Sequence, residues 1–414
     1  MENKEQLVDE ILTRSVASVL PTKEALREVL MSDKKLRIYI GADATGPQLH
    51  LGHATNFMLL ERLRRLGHEV IVLFGDFTAM LGDPSGRAVE RKALTKEEVE
   101  KNIETWKSQV SKLLDFDASE NPALLKRNSE WLANMNLGDV IGLAQNFTVQ
   151  QMLERDMFEK RIEVGSPVYL NEFLYPLLQG YDSVAMDVDV EIGGTDQTFN
   201  MLAGRTLQKH FHKKEKFVIA TTLLEHPVTK KKIMSKSEGN YIALNDSPQD
   251  MFGKTMALPD EMITQMFVDC TYVSMADISK IAQELVTGGN PRDAKVRLAK
   301  EIVALYHGPE EAEKAEQYFV NTFSKGSVPE NIREVSPQYE PALEGYENME
   351  SFITRIGLAT SKSDARRKIE QDGVGIFIDG ERVPVGSRML DKKLDDGKVM
   401  KVGKKDFVKI VFKD

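Results

Sequence analysis

His50 and His53 are two of only 7 histidines in the chain, and they fall three residues apart in YIGADATGPQLHLGHATN, Tyr39 to Asn56. An imidazole can donate a hydrogen bond to an anion and can match charge that develops in a transition state. Ahead of the pair, Gly41 and Gly46 allow close backbone approach, and Pro47 helps define the turn. The residues after it have helical spacing. The pair therefore falls at a helix start, where free N–H groups and the helix dipole attract anions. Two other readings stay open. One is a metal site, although helical zinc pairs usually sit four apart with a Glu between. The other is simple capping of the helix.

Three further segments carry candidate chemistry. IMSKSEGN, Ile233 to Asn240, follows Lys230, Lys231 and Lys232. Lys236 can meet a polyphosphate there as a point charge, with Ser235 and Ser237 adding hydrogen bonds; taken alone, the run equally suits a solvated turn. In YLNEFLYPLLQGYD, the residues Tyr175, Gln179 and Asp182 have i, i+4, i+7 spacing and share one helix face. Leu174, Leu177 and Leu178 can face the core. Such a polar stripe needs partners, because unpaired buried polar groups are costly. A polar ligand or structural hydrogen bonds would both serve. Pro176 marks either a helix start or a kink in this pattern. In EIGGTDQTFN, Gly193 and Gly194 end a strand and Asp196 opens a helix. A carboxylate at that junction suits the two hydroxyls of a ribose, or it caps the helix together with Thr195.

These residues need a scaffold, and the patterning supplies one. LRIYIG reads as a strand, GHATNFMLLERLRRLG as a helix ending at Gly67, and EVIVLFGD as a strand buried on both faces. This order predicts a parallel sheet of the nucleotide-binding kind. Residues 95–158 turn mostly helical, with ALLKRNSEW as a possible strand, which predicts a helical insertion. DVDVEIGG and KFVIATTLL restore the strand pattern. The expected organisation is an α/β domain with the helical insertion over 1–246, a helical domain over 247–325, a Pro-rich linker over 326–345 and a small α/β module over 346–414.

Bulk composition narrows the class. With 414 residues, 41% hydrophobic and 29% charged, the chain suits a soluble protein of two or three domains. No apolar run approaches the ~18 residues of a membrane span. The single cysteine, Cys270, excludes an internal disulfide framework and a Cys-cluster metal site; a cytoplasmic setting is expected. Net charge is −9, but from Ser351 onward 15 Lys and Arg face 10 Asp and Glu. A basic end on an acidic body suggests a polyanion contact there, or an ordinary solvated surface.

His50-Leu51-Gly52-His53 resembles the HIGH signature of class I aminoacyl-tRNA synthetases, and Ile233 to Ser237 resembles their KMSKS loop. Ile233 stands where that loop begins with lysine; Lys232 lies one place upstream. YLNEFLYPLLQGYD resembles the tyrosine-binding helix of the bacterial tyrosyl-tRNA synthetases. EIGGTDQTFN is a third match to that family. SFITRIGLATSKSDARRKIEQDGVGIFIDGERV resembles a small RNA-binding domain shared with a ribosomal small-subunit protein.

The resemblance implies an α/β fold: a Rossmann-like catalytic domain, a helical domain and a small C-terminal α/β RNA-binding domain. It implies ligation of tyrosine to its tRNA, tRNA(Tyr). ATP is then a substrate taken with Mg²⁺, no tightly bound cofactor or resident protein metal site is expected, and the chain forms a homodimer through the helical insertion, without a membrane. By resemblance, Asp182 and Tyr39 contact the tyrosine hydroxyl. Tyr175, Gln179 and Asp83 hold its ammonium group, with Thr78 nearby and Gln197 approaching. Asp43 lies beside the amino acid or ATP, and Thr45 near the phosphates. His50 and His53 act on the transferring phosphate and Gly52 admits ATP. Asp196 holds the ribose. Met234 and Ser235 approach ATP, and Lys236 closes over the pyrophosphate. Lys362, Arg366 and Arg367 contact RNA phosphates.

Overall fold

The computed structural model describes residues 4–83, 94–153, 156–227, 229, 232–234, 241–324, 332–340, 345–370, 376–378, 381–383, 389–402 and 406–412. Two compact units divide the chain, Met1–Ala312 and Glu313–Asp414.

The first unit is built on a six-stranded sheet. Its strands are β1 (Val16–Leu20), β2 (Arg37–Asp43), β3 (Glu69–Gly75), β4 (Leu124–Arg127), β5 (Val190–Gly194) and β6 (Phe217–Thr221), in the order β1-β6-β5-β2-β3-β4. All neighbours are parallel except the edge strand β1, which runs antiparallel to β6. β3 is buried from Val70 to Gly75 and β5 along its whole length, as continuous apolar runs in a covered parallel sheet require. From β2 the chain steps outward through β3 and β4, then returns to the other side of β2 for β5 and β6. The order therefore reverses between β2 and β5, and ligands of open α/β sheets bind at the carboxyl ends of such strands.

The helix predicted after the histidines spans Leu51–Arg65, and Gly67 follows it with φ +101°. Arg62, Arg64 and Arg65 fill its last turn, where cations complement the helix dipole. The insertion is helical, and ALLKRNSEW divides into β4 and a short helix, Ser129–Leu132. Pro176 proves to lie inside one continuous helix, Leu170–Ala185. Its missing N–H removes the bond to the Glu172 carbonyl, while the Glu172 side chain pairs with the buried Arg161 guanidinium at 2.5 Å. That helix packs closely on Thr198–His212: a Cβ on Gly180 would lie 3.0 Å from the Gly204 nitrogen.

The helices that follow 247 do not form a separate compact body, because residues through Ala312 group with the sheet. Helix Ile263–Cys270 packs on Leu51–Arg65, and Thr55 Oγ1 donates to the Asp269 carbonyl at 3.0 Å.

In the second unit, helices Met349–Arg355 and Lys362–Glu370 cover one sheet. Its further strands are β7 (Arg333–Val335), β8 (Tyr339–Glu340), β9 (Gly345–Tyr346), β10 (Ile376–Ile378), β11 (Glu381–Arg382), β12 (Val399–Val402) and β13 (Asp406–Ile410). The order is β11-β10-β12-β13-β7, while β8 and β9 pair as a separate hairpin. Phe352, Ile353, Ala365, Ile376, Val402 and Ile410 form its core. The segment expected as a plain linker thus contributes a strand. β7 pairs parallel with β13, satisfying backbone groups that an open sheet edge would expose.

Candidate active site

A cavity of about 340 Å³ opens at the carboxyl ends of β2, β3 and β5. Asp43 and Gly41 reach it from β2, Gly75 from β3, and Gly193 and Gly194 from β5. The glycines make room for carboxylates. A Cβ on Gly75 would come within 2.2 Å of Asp43 Oδ1, and one on Gly194 within 2.7 Å of Asp196 Oδ1.

One end of the cavity is a network of buried polar groups. Asp43 accepts from Thr78 Oγ1 at 2.7 Å and from the Tyr175 hydroxyl at 3.0 Å. Asp182 accepts from Trp131 Nε1 at 2.7 Å and from Asn128 Nδ2 at 3.3 Å. Asn128 Nδ2 also donates to Thr78 Oγ1 at 2.9 Å, which links the two carboxylates through one amide. Burial pushes the Asp182 carboxyl well above the usual carboxylate range, against the opposing hydrogen bonds from Trp131 and Asn128. It pushes the Tyr175 phenol up too, with Asp43 and Asp83 adding to the effect. Gln197 Nε2 donates to Asp83 Oδ2 at 2.8 Å, and Asn200 Nδ2 donates to the carbonyl oxygens of Gln179 and Gln197 at 2.9 Å each. Tyr175, Gln179 and Asp182 all line the cavity, so the helix-face argument holds straight through Pro176. A region rich in carboxylates and amide carbonyls suits an ammonium group, and Asp182 at its deep end suits a hydroxyl donor.

The other end is built at the start of helix Leu51–Arg65. His50 precedes the first helical residue and its N–H donates to His53 Nδ1 at 3.2 Å, so a neutral His53 carries its proton on Nε2. The two rings lie 3.8 Å apart. Both histidines line the cavity, so capping and ligand contact are compatible. Gly52 is needed for this packing. A Cβ there would sit 3.0 Å from the His50 ring and 3.4 Å from Met234 Cβ. Thr45 and Asp196 complete the wall. Asp196 accepts from Lys232 Nζ at 3.1 Å, both side chains being part-exposed.

Backbone pairing brings the distant loop signature to the histidines. Leu51 N–H donates to the Ile242 carbonyl at 3.1 Å, and Leu244 N–H to the Leu49 carbonyl at 2.9 Å. Met234 consequently lines the cavity. Ile233 is buried, and its N–H donates to the Leu224 carbonyl at 3.0 Å. Among the described residues, the cation that reaches the cavity is Lys232, one residue earlier. Ser235 and Lys236 lie outside the described residues. Among the described residues, no group of three or more His, Cys, Asp or Glu side chains could hold a metal ion.

Tyr39 is set deeper in the same strand as Asp43. It is fully buried and does not line the cavity. Its hydroxyl meets Ser183 Oγ at 3.0 Å, in a cluster with Lys216 and Glu191 behind the wall. Four residues of the site escaped sequence reasoning: Asn128, Trp131, Glu191 and Asn200. Asn128 and Trp131 sit in the stretch read for its strand pattern, where nothing local separates a buried amide from a turn residue. In the second unit, Lys362, Arg366 and Arg367 share the exposed face of helix Lys362–Glu370. Arg367 pairs with Asp364 at 2.7 Å and Arg366 with Glu350 at 3.9 Å. The two guanidiniums are exposed, while their carboxylate partners are largely buried.

Residues 31–324 match the family described as tRNA synthetases class I (W and Y). The tyrosine–tRNA ligase of Carboxydothermus hydrogenoformans is 43% identical over 99% of this chain and 98% of its own length. That of Thermotoga maritima is 42% identical over 97% and 96%, respectively. Among solved structures, a C-terminally truncated mitochondrial tyrosyl-tRNA synthetase of Aspergillus nidulans shares the fold, with a TM-score of 0.67 at 24% identity over 78% of this chain and 95% of that one. With signature segments converging on one cavity and identity at this level along nearly its whole length, the chain belongs to the class I tRNA synthetases, in the group of the tyrosine–tRNA ligases.

Proposed function

We propose that the cavity activates L-tyrosine with ATP and then passes the tyrosyl group to the 3′-terminal ribose of tRNA(Tyr). The observation that carries this reading is the polarity of the cavity. A buried carboxyl with two fixed donors, Asp182, closes one end, and the histidine pair with Asp196 closes the other. The tyrosine phenol donates to Asp182. Its ammonium group sits among Asp43, Asp83, Tyr175, Gln179 and Gln197, with Thr78 fixing Asp43.

The tyrosine carboxylate then points toward the histidine end. One of its oxygens attacks the α-phosphorus of ATP, the bond to the β-phosphate oxygen breaks, and pyrophosphate leaves. The nucleophile belongs to the substrate, so the protein contributes position and charge stabilisation. His50 and His53 donate to the phosphate oxygens from the helix start, Gly52 admits the nucleotide, and Thr45 faces the phosphates. Asp196 exchanges its contact with Lys232 for the ribose hydroxyls. Met234 packs beside the nucleotide, and Ser235 and Lys236 meet the pyrophosphate. Mg²⁺ enters with ATP on its phosphates. In the second step, the ribose hydroxyl of the tRNA attacks the activated carbonyl and AMP leaves.

Lys362, Arg366 and Arg367 supply phosphate contacts to the tRNA, adding affinity more than sequence reading. The helical insertion and the residues after it expose Leu137, Ile141, Val149, Ile162, Val164 and Leu170. Exposed apolar side chains in this number support a homodimer formed through that region. The lone, buried Cys270 suits a cytoplasmic setting. No described helix is long and apolar enough to cross a membrane.

The test is ATP–pyrophosphate exchange with each amino acid offered singly. Tyrosine alone should support exchange. Exchange with tryptophan and none with tyrosine would overturn the reading.

A further inference from the structure

Behind the amino-acid end of the cavity lies an ion pair that no substrate can touch. Lys216 precedes β6 and its side chain is fully buried; Glu191 lies on β5 with a side chain 2% exposed. Lys216 Nζ contacts Glu191 Oε2 directly and donates to Ser183 Oγ at 2.9 Å. Ser183 in turn meets the Tyr39 hydroxyl at 3.0 Å. The fold makes space for this pair. A Cβ on Gly204 would fall 2.5 Å from Lys216 Nζ. Taking two charges fully out of water is expensive, and a pair of apolar side chains would often be at least as stable. The arrangement calls for a role besides stability.

The other oxygen of Glu191 supplies one. Glu191 Oε1 accepts from Gln179 Nε2 at 3.1 Å. An ionised carboxylate only accepts, so it dictates which end of the Gln179 amide faces it. Gln179 must then turn its carbonyl oxygen away from Glu191. That oxygen accepts from Asn200 Nδ2, which also donates to the Gln197 carbonyl, leaving Gln197 Nε2 for Asp83. Two acceptor-only carboxylates, Glu191 and Asp83, thus anchor a chain of three amides and set the direction of every one. Each of the two glutamine carbonyls keeps a second lone pair. Both residues line the cavity.

We infer that the buried Lys216–Glu191 pair is a positioning device: it holds an acceptor behind Gln179 so that amide carbonyls, not amide N–H groups, face the ammonium of the bound amino acid. This inference rests on the proposed tyrosine site.

The experiment uses two double variants of the full chain, so that neither leaves a lone buried charge. In Glu191→Met with Lys216→Met the pair becomes apolar and Gln179 loses its acceptor. In Glu191→Gln with Lys216→Met a carbonyl remains to accept from Gln179. Pyrophosphate exchange is measured as a function of tyrosine and of ATP. The apolar double should raise KM for tyrosine about 10–100-fold, the scale of one hydrogen bond to a charged group, with kcat and KM for ATP within about threefold of the native chain. The glutamine double should recover most of that loss. A tyrosine KM in the apolar double within about twofold of native would overturn the positioning role, and so would a glutamine double as impaired as the apolar one. Native chain that shows no tyrosine-dependent exchange would instead sink the functional reading, and this inference with it.

Discussion

The two ends of the cavity are built differently. At the amino-acid end almost every polar group already has a protein partner: Asp182 with Trp131 and Asn128, Asp43 with Thr78 and Tyr175, Gln179 with Glu191 and Asn200. At the nucleotide end the groups come from a helix start and two glycine-lined strand ends, and Asp196 pairs with the part-exposed Lys232. The first arrangement is rigid and reads one side chain. The second is open and suits a polyphosphate that brings its own cation. Discrimination between amino acids requires groups that cannot relax toward the wrong ligand, whereas ATP is the same in every reaction of this class.

If that contrast is right, damage at the amino-acid end should cost most. Asp182→Ala should lower kcat/KM for tyrosine by about 10³-fold, the cost of stripping one partner from a buried polar network. It should also narrow the preference over phenylalanine, as read by exchange with both amino acids. An undiminished preference would break the comparison. His53→Ala should reduce kcat for exchange about 10²-fold, the scale of losing one transition-state donor, while KM for tyrosine stays within about threefold. A rise in tyrosine KM instead would show that the two ends are not independent.

Asp196→Ala should act more weakly. We expect about a 10-fold rise in KM for ATP with little change for tyrosine, because the ribose keeps access to water and the carboxylate is replaceable. The smallest effect on the cavity should come from the triple variant Lys362→Ala, Arg366→Ala, Arg367→Ala. Exchange should be unchanged. The dependence of tRNA affinity on salt should flatten by about 2–3 in the log–log slope. An unaltered slope would remove that helix from the RNA contact.

Much of this site was legible in the chain because its cavity-lining residues lie in short local patterns. His50 and His53 share a helix start, Tyr175, Gln179 and Asp182 share a helix face, and Gly193, Gly194 and Asp196 share a strand end. Local period and capping chemistry place such groups without reference to the rest of the fold. The parallel sheet was legible for the same reason, since apolar runs and their intervening helix repeat at spacings that one segment reveals. β1 was not read, being a short edge strand of VASVL with little alternation, and β7 was hidden in a Pro-rich segment.

What the sequence by itself determined was therefore the set of groups and the elements that carry them. Only the tertiary structure decided which groups meet. Tyr39 lies four residues before Asp43 on the same face of one strand, yet it packs against Ser183 and Lys216 rather than joining the Asp43 network. Lys232, not Ile233, enters the cavity, because Ile233 is drawn into the apolar interior next to Leu224. Asn128, Trp131, Glu191 and Lys216 support the cavity wall from segments up to 88 residues apart in number, from Asn128 to Lys216. Hydrogen-bond partners at such separation leave no periodic trace in a sequence, since their geometry exists only once the sheet and helices have packed.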